Sequence, residues 1–186
     1  MAPVPTIADA FDEFTRCLTA ARPNRIDLIG DLDNGFEGWL KLEFFAWLVE
    51  HYQCVPGVDV GLEYKVRLDQ RRAVDKIVKC CDLWVRGPTP ERVHYVELKA
   101  PFANTNAGKV LTSAADDFWY MGRLRARFEA AATGNIIVLG VGFDERSWRR
   151  GRESIRARAQ LCQEYEVTRS GELSSRVRWD VWTHDY

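Results

Sequence analysis

The residues best suited to do chemistry lie between Asp82 and Lys99. Asp82-Leu83-Trp84-Val85 and Tyr95-Val96-Glu97-Leu98-Lys99 are apolar runs, and Gly87-Pro88-Thr89-Pro90 breaks the chain between them. The pattern predicts a β-hairpin with a longish loop. Side chains alternate along a strand, so Cys80, Asp82 and Trp84 are expected on one face, and Tyr95, Glu97 and Lys99 on one face of the partner. Leu83, Val85, Val96 and Leu98 take the opposite faces. Two carboxylates and an ammonium are thus set into a hydrophobic sheet, where an uncompensated ion costs on the order of several kcal/mol. A divalent cation held by both carboxylates would offset that cost, and would also do chemistry. If Asp82 and Glu97 repel each other, neutralising either should leave the metal-free protein as stable or more so. A structural Asp82–Lys99 ion pair predicts the opposite sign. Glu63-Tyr64-Lys65 repeats the Glu-x-Lys spacing. There the charges alternate with Leu62, Tyr64 and Val66 as the outer face of a half-buried strand, and no Asp stands on a separate strand before them.

Asp82, fourteen intervening residues and Glu97-Leu98-Lys99 together resemble the signature of the PD-(D/E)xK nuclease superfamily, with Cys81 where the literal pattern has Pro. A third acid stands out on the helix expected over 35–52. Glu43 has Trp39, Leu40, Ala46 and Trp47 three and four residues away, so it lies in the apolar stripe and must be paired or bound. In many members of the superfamily a Glu on the helix before the sheet completes the acidic cluster, and Glu43 is the corresponding position. A Glu43–Arg pair or a backbone cap is the alternative. The resemblance implies a catalytic set of Glu43, Asp82, Glu97 and Lys99. Its metal ligands would be Asp82, Glu97, Glu43 and the Leu98 backbone carbonyl. Mg²⁺ is the implied cofactor, with Mn²⁺ as a substitute, since hard cations prefer oxygen ligands. Lys99 would orient or deprotonate the attacking water, or balance charge on the phosphate. The implied activity is that of a Mg-dependent deoxyribonuclease, expected to act as an endonuclease, with DNA as partner and RNA left open. A catalytically silent protein of the same fold, acting as a nucleic-acid-binding or protein-interaction module, is the alternative.

These strands need a scaffold, and the flanking sequence provides one. Thr6 can cap a helix over 6–21, in which Ile7, Phe11, Phe14 and Leu18 recur at helical spacing. Asp33 or Asn34 can cap the 35–52 helix, whose Glu37 and Lys41 form an i,i+4 pair able to face water. Strands follow over 58–68 and 76–86 around the turn-like Asp69-Gln70-Arg71-Arg72. After Pro101 a helix is expected over 107–133, with Val110, Leu111, Ala114, Phe118, Met121, Leu124 and Phe128 inward. Asp116, Tyr120, Arg123 and Arg127 fall on another face. Asn135 to Val141 reads as a fully buried strand. The expected class is α/β: a restriction-endonuclease-like mixed sheet flanked by helices in the order α-β-β-β-α-β. The 107–133 helix would form a crossover between parallel strands.

That core spans about 35–142 of a single domain, 1–186, with the first helix before it and an addition over 143–186. Residues 144–164 look helical and Arg-rich, and Arg149, Arg152 and Arg156 are candidate phosphate contacts. A solvated helix face is the alternative. Val177, Trp179 and Val181 alternate with Arg178, Asp180 and Trp182, predicting a last strand paired with 165–169. Trp179, Trp182 and Tyr186 belong either to the core or to a homodimer surface.

Composition bounds these readings. The chain has 186 residues, 46% hydrophobic and 28% charged, which is globular and long enough for a proper core. A net charge of −1 excludes a globally basic nucleic-acid binder and puts the weight on how charge is distributed. No apolar run approaches the ~20 residues of a membrane span. Met1-Ala2-Pro3-Val4-Pro5 lacks the basic-then-apolar pattern of a signal peptide. Five cysteines without Cys-x-x-Cys spacing fit buried reduced thiols, so a cytoplasmic protein is expected. His51, His94 and His184 are scattered, and no zinc spacing, Walker loop, dinucleotide fingerprint or Gly-x-Ser-x-Gly elbow occurs.

Overall fold

The computed structural model describes residues 4–22, 26, 28, 36–67, 78–89, 91–103, 107–121, 131–161 and 166–185. Helix α1 (Ile7–Ala21) starts where the Thr6 hydroxyl accepts from the Asp9 N–H at 3.0 Å, satisfying one of the free amides of the first turn. Its Ile7, Phe11, Phe14 and Leu18 point inward as their spacing requires. Helix α2 (Phe36–His51) follows; its expected caps, Asp33 and Asn34, lie outside the described residues, as does the 69–72 turn. Strands β1 (Val60–Arg67), β2 (Val78–Arg86) and β3 (Arg92–Lys99) form an antiparallel meander. Helix α3 (Ala107–Met121) then leads to β4 (Ala131–Val141), which lies parallel to β3. Helix α4 (Glu145–Leu161), β5 (Glu166–Ser174) and β6 (Val177–Asp185) complete the order. The result is a mixed α/β fold with one six-stranded sheet, β1-β2-β3-β4-β6-β5, flanked by helices.

The helix expected to reach residue 133 gives way to strand by Ala131. Residues 131–134 pair in parallel register with Arg92 to Tyr95 of β3, so sheet pairing overrides a local pattern that reads as helix. Leu124, Phe128, Arg123 and Arg127 lie outside the described residues. Where α3 is described, Ala114, Phe118 and Met121 are buried as expected.

The sheet separates two apolar layers. Phe11, Phe44 and Leu48 pack from α1 and α2 onto Leu83, Val96 and Leu98. Phe118, Met121 and Trp148 pack from α3 and α4 onto Tyr95, Ile136 and Val138. Segment 143–186 is integral to this arrangement, because β6 lies along β4 from Val141↔Val177 to Thr133↔Asp185. Trp179 and Trp182 are each 1% exposed and sit in opposite layers. They are core residues; Tyr186 lies outside the described residues. Gly140 admits α4 to the sheet, since a Cβ there would lie 2.4 Å from the Trp148 ring. The four described cysteines are free, with Cys54 and Cys81 buried and Cys17 and Cys80 exposed. Among the described residues, no helix is long and apolar enough to cross a membrane.

Candidate functional site

The sheet loses its regular pairing around Asp82. Along β1 and β2 the register runs Val60↔Val85 to Leu62↔Leu83 and resumes at Tyr64↔Cys81, with no Glu63↔Asp82 pair between. Glu63 there has a left-handed backbone, φ 53°. On the other side, the register pairs of β2 and β3 end at Leu83↔Val96. Asp82 therefore sits where the ladders on both sides are interrupted, and its carboxylate does the ladder's work. Oδ2 accepts from the Leu98 N–H at 2.8 Å, and Oδ1 lies 3.2 Å from the Lys41 ammonium on α2. A strand residue's N–H and C=O face the same neighbour, so the Leu98 carbonyl also opens toward Asp82. Lys41 reaches Glu63 as well. Around this interruption β2 rotates: Leu83 lies in the α1/α2 layer, whereas Cys81 packs against Met121 in the α3/α4 layer.

Glu97 faces the α3 side, with its side chain only 6% exposed. Its Oε1 accepts from Lys99 Nζ at 2.9 Å and lies 3.0 Å from Lys79 Nζ. Both ammoniums also reach Asp117 on α3, Lys79 at 2.6 Å and Lys99 at 3.2 Å. Lys99 lies 3.8 Å from Glu37, whose other oxygen accepts from the Ala100 N–H at 3.2 Å. Among the described residues, buried Glu97 Oε2 has no hydrogen-bond partner. Burial, reinforced by the Asp117 and Asp82 carboxylates, pushes Glu97 up to about 7 despite the two lysines. Burial likewise raises Glu37, with Asp82 adding to it and Lys99 and the Ala100 N–H opposing. For Lys79 and Lys99 burial works downward, but Glu97 and Asp117 outweigh it and hold both above the ordinary lysine value.

Asp82 thus meets the Leu98 N–H and Lys41, and Glu97 meets Lys99 and Lys79, but Glu43 joins neither. It turns away from the strands and pairs with Arg22 NH1 at 3.2 Å, which is the alternative its sequence context left open. Glu37, six residues earlier, takes the place by the sheet, because Glu37 and Lys41 lie one helical turn apart on the face of α2 that meets the strands. The expectation that these two face water as a pair is corrected: each reaches a strand partner instead. Lys79 and Asp117 had no place in the sequence-based set. Asp117 carried a legible signal, since it interrupts the Ala114, Phe118, Met121 stripe of α3 with a carboxylate. Lys79 carried none, because only the rotation of β2 turns it toward Glu97.

The C-terminal arginines divide in two. Arg152 is not a free phosphate contact: its Nε lies 2.6 Å from Asp180, which is 1% exposed, and its NH2 donates to Ser170 Oγ. Arg149 pairs with Glu145 in the exposed i,i+4 manner, and Arg156 is exposed. Replacing Arg152 with Gln should lower stability by about 3 kcal/mol, since it strips a buried carboxylate of its cation; thermal melts would show it. Replacing Arg149 and Arg156 with Gln should leave the melt unchanged. If both touch phosphates, the slope of log K against log salt should fall by about 1.8, roughly 0.9 per contact. An unchanged slope assigns them to solvent.

Aspartate and glutamate oxygens are the ligand type that hard cations take. Among the described residues, no three His, Cys, Asp or Glu side chains stand together as a ready ligand set; lysine ammoniums lie among the carboxylates instead. Mg²⁺ does not need such a cage, since it is commonly held by one or two carboxylates together with waters and substrate phosphates. Asp82 and Glu97 are two carboxylates of this region, and Glu97 Oε2 is buried with no hydrogen-bond partner among the described residues. Comparison with known proteins leaves the question to this geometry: no protein-family model, curated protein or solved structure matches the chain.

Proposed function

We propose that this protein is a metal-dependent nuclease that hydrolyses phosphodiester bonds, foremost in DNA, on a restriction-endonuclease-like fold. The observation that supports it best is Glu97, buried, within the electrostatic reach of Asp82, with one oxygen held by lysines and the other without a hydrogen-bond partner among the described residues. A buried carboxylate left half unsatisfied costs stability, and so is better explained by a ligand than by packing. Asp82, Glu97 and the Leu98 carbonyl would hold Mg²⁺ or Mn²⁺. The ion supplies Lewis acidity, making water a competent nucleophile and stabilising charge on the phosphate. Asp82 is kept in place by the Leu98 N–H and Lys41. Lys99, anchored by Glu97 and Asp117, orients the attacking water and offsets charge at the scissile phosphate. Asp82, Glu97 and Lys99 are each mostly buried against these apolar layers, so their charges are screened less than at an open surface.

The silent-module reading has one observation in its favour, the lysines that already satisfy part of the acidic cluster. Incubating supercoiled plasmid, linear duplex and single-stranded DNA with Mg²⁺, Mn²⁺ or chelator separates the two. Metal-dependent nicking of the closed circle supports an endonuclease. Binding without cleavage under every condition would replace that reading with the module.

A further inference from the structure

Lys79 lies outside the hairpin motif, three residues before Asp82, yet its ammonium contacts the same Glu97 oxygen as Lys99. It is more than four-fifths buried and also touches Asp117 at 2.6 Å. Two ammoniums therefore share the Glu97 and Asp117 carboxylates, while among the described residues no donor reaches Glu97 Oε2. Resting on the metal-site reading above, we propose that Lys79 is a built-in competitor of the divalent cation at Glu97, and that Asp117 is the acceptor that retains Lys79 when the cation takes its place. A cation held by Glu97 would share that carboxylate with the Lys79 ammonium, 3.0 Å from Oε1, and like charges in a poorly screened site repel strongly. Lys79 need not leave the cluster to relieve this, because its shorter contact is already with Asp117. Lys99 stays paired through the exchange, having both Asp117 and Glu37 within reach. Asp117 is in this sense a positioning residue, acting on Glu97 through the lysines.

The test is Mn²⁺ affinity of the whole protein at fixed pH and salt, read from the paramagnetic resonance of free Mn²⁺. Lys79→Met removes the charge while keeping the length of the side chain, and should tighten Mn²⁺ binding about tenfold. Structural damage would not tighten it. Lys79→Gln, which keeps a polar tip for Asp117, should shift affinity in the same direction. Asp117→Asn leaves Lys79 only Glu97 to lean on, and should weaken Mn²⁺ binding about tenfold. In the Lys79→Met background the same change should have less than half that effect on log Kd, because the pair acts as a unit. Mn²⁺ binding that Lys79→Met and Lys79→Gln leave unchanged or weaker, or fully additive effects of the two sites, would overturn the proposal alone. Wild type and variants that all fail to bind Mn²⁺ would overturn it together with the metal-site reading.

Discussion

Lys99→Ala should abolish metal-dependent cleavage, lowering the rate by roughly 10²- to 10³-fold or more, the scale seen when one charge-stabilising donor is removed from a water-poor site. The ammonium is held by Glu97, Asp117 and Glu37, so it has little freedom; under the proposed mechanism it would already be in place when substrate arrives. Those partners also predict what the mutation spares. Lys99 is mostly buried and adds little to the outer field that attracts a nucleic acid, so affinity for DNA should stay near wild type. Mg²⁺ should bind no worse, because a positive charge leaves while both carboxylates remain. The folded mutant, checked by circular dichroism, would be assayed for binding and cleavage separately. Wild-type cleavage in it would remove Lys99 from the mechanism.

Glu97→Gln and Asp82→Asn should move the stability of the metal-free protein in opposite directions. Glu97 is raised from its ordinary 4.5 to about 7, so the folded chain holds this proton more tightly than the unfolded chain does. Its contribution to stability is complete below about pH 4.5 and is lost as pH rises through 7. Glu97→Gln carries the neutral form at every pH. Near pH 8 it should exceed wild type by about 1–3 kcal/mol, after allowing for what Lys79 and Lys99 lose with a neutral partner. The advantage should shrink toward pH 4.5.

Asp82 differs because its charge is already answered by the Leu98 N–H and Lys41. Asparagine can keep one of those contacts but not both, so Asp82→Asn should cost about 1–3 kcal/mol. The repulsion that would make both mutants at least as stable as wild type is therefore expected to show at Glu97 alone. Added Mg²⁺ separates the same three proteins again. At about 100 times its dissociation constant it should stabilise wild type by roughly 2.7 kcal/mol, a rise of roughly 5–10 °C in Tm. Neither mutant should respond comparably. A wild type indifferent to both Mg²⁺ and Mn²⁺, beside a Glu97→Gln that melts lower at pH 8, would reduce the cluster to a structural ion-pair network.

What the sequence determined by itself was local. Alternation around a Gly/Pro break placed Asp82 and Glu97 on neighbouring antiparallel strands. Helical spacing placed Phe11, Phe14 and Leu18, and the run of apolar residues after Asn135 marked the strand beside β3. Period and turn chemistry act over a few residues, so they can be read without the fold. The tertiary structure decided everything that depends on a distant partner. Residues 131–134 became strand because β3 was there to pair with, and Arg152 was drawn to a buried Asp180 two elements away. Glu43 and Glu37 both stand on α2 but on different faces of it, and which face packs on the sheet sends Glu37 to Lys99 and leaves Glu43 to Arg22. The interruption around Asp82 is the clearest case. A strand read alone keeps its period of two, whereas the lost pairing on both sides lets β2 rotate, bringing Lys79 against Glu97 and freeing the Leu98 N–H for Asp82. Register and rotation belong to the assembled sheet, because they are set by what each strand pairs with and not by its own side chains.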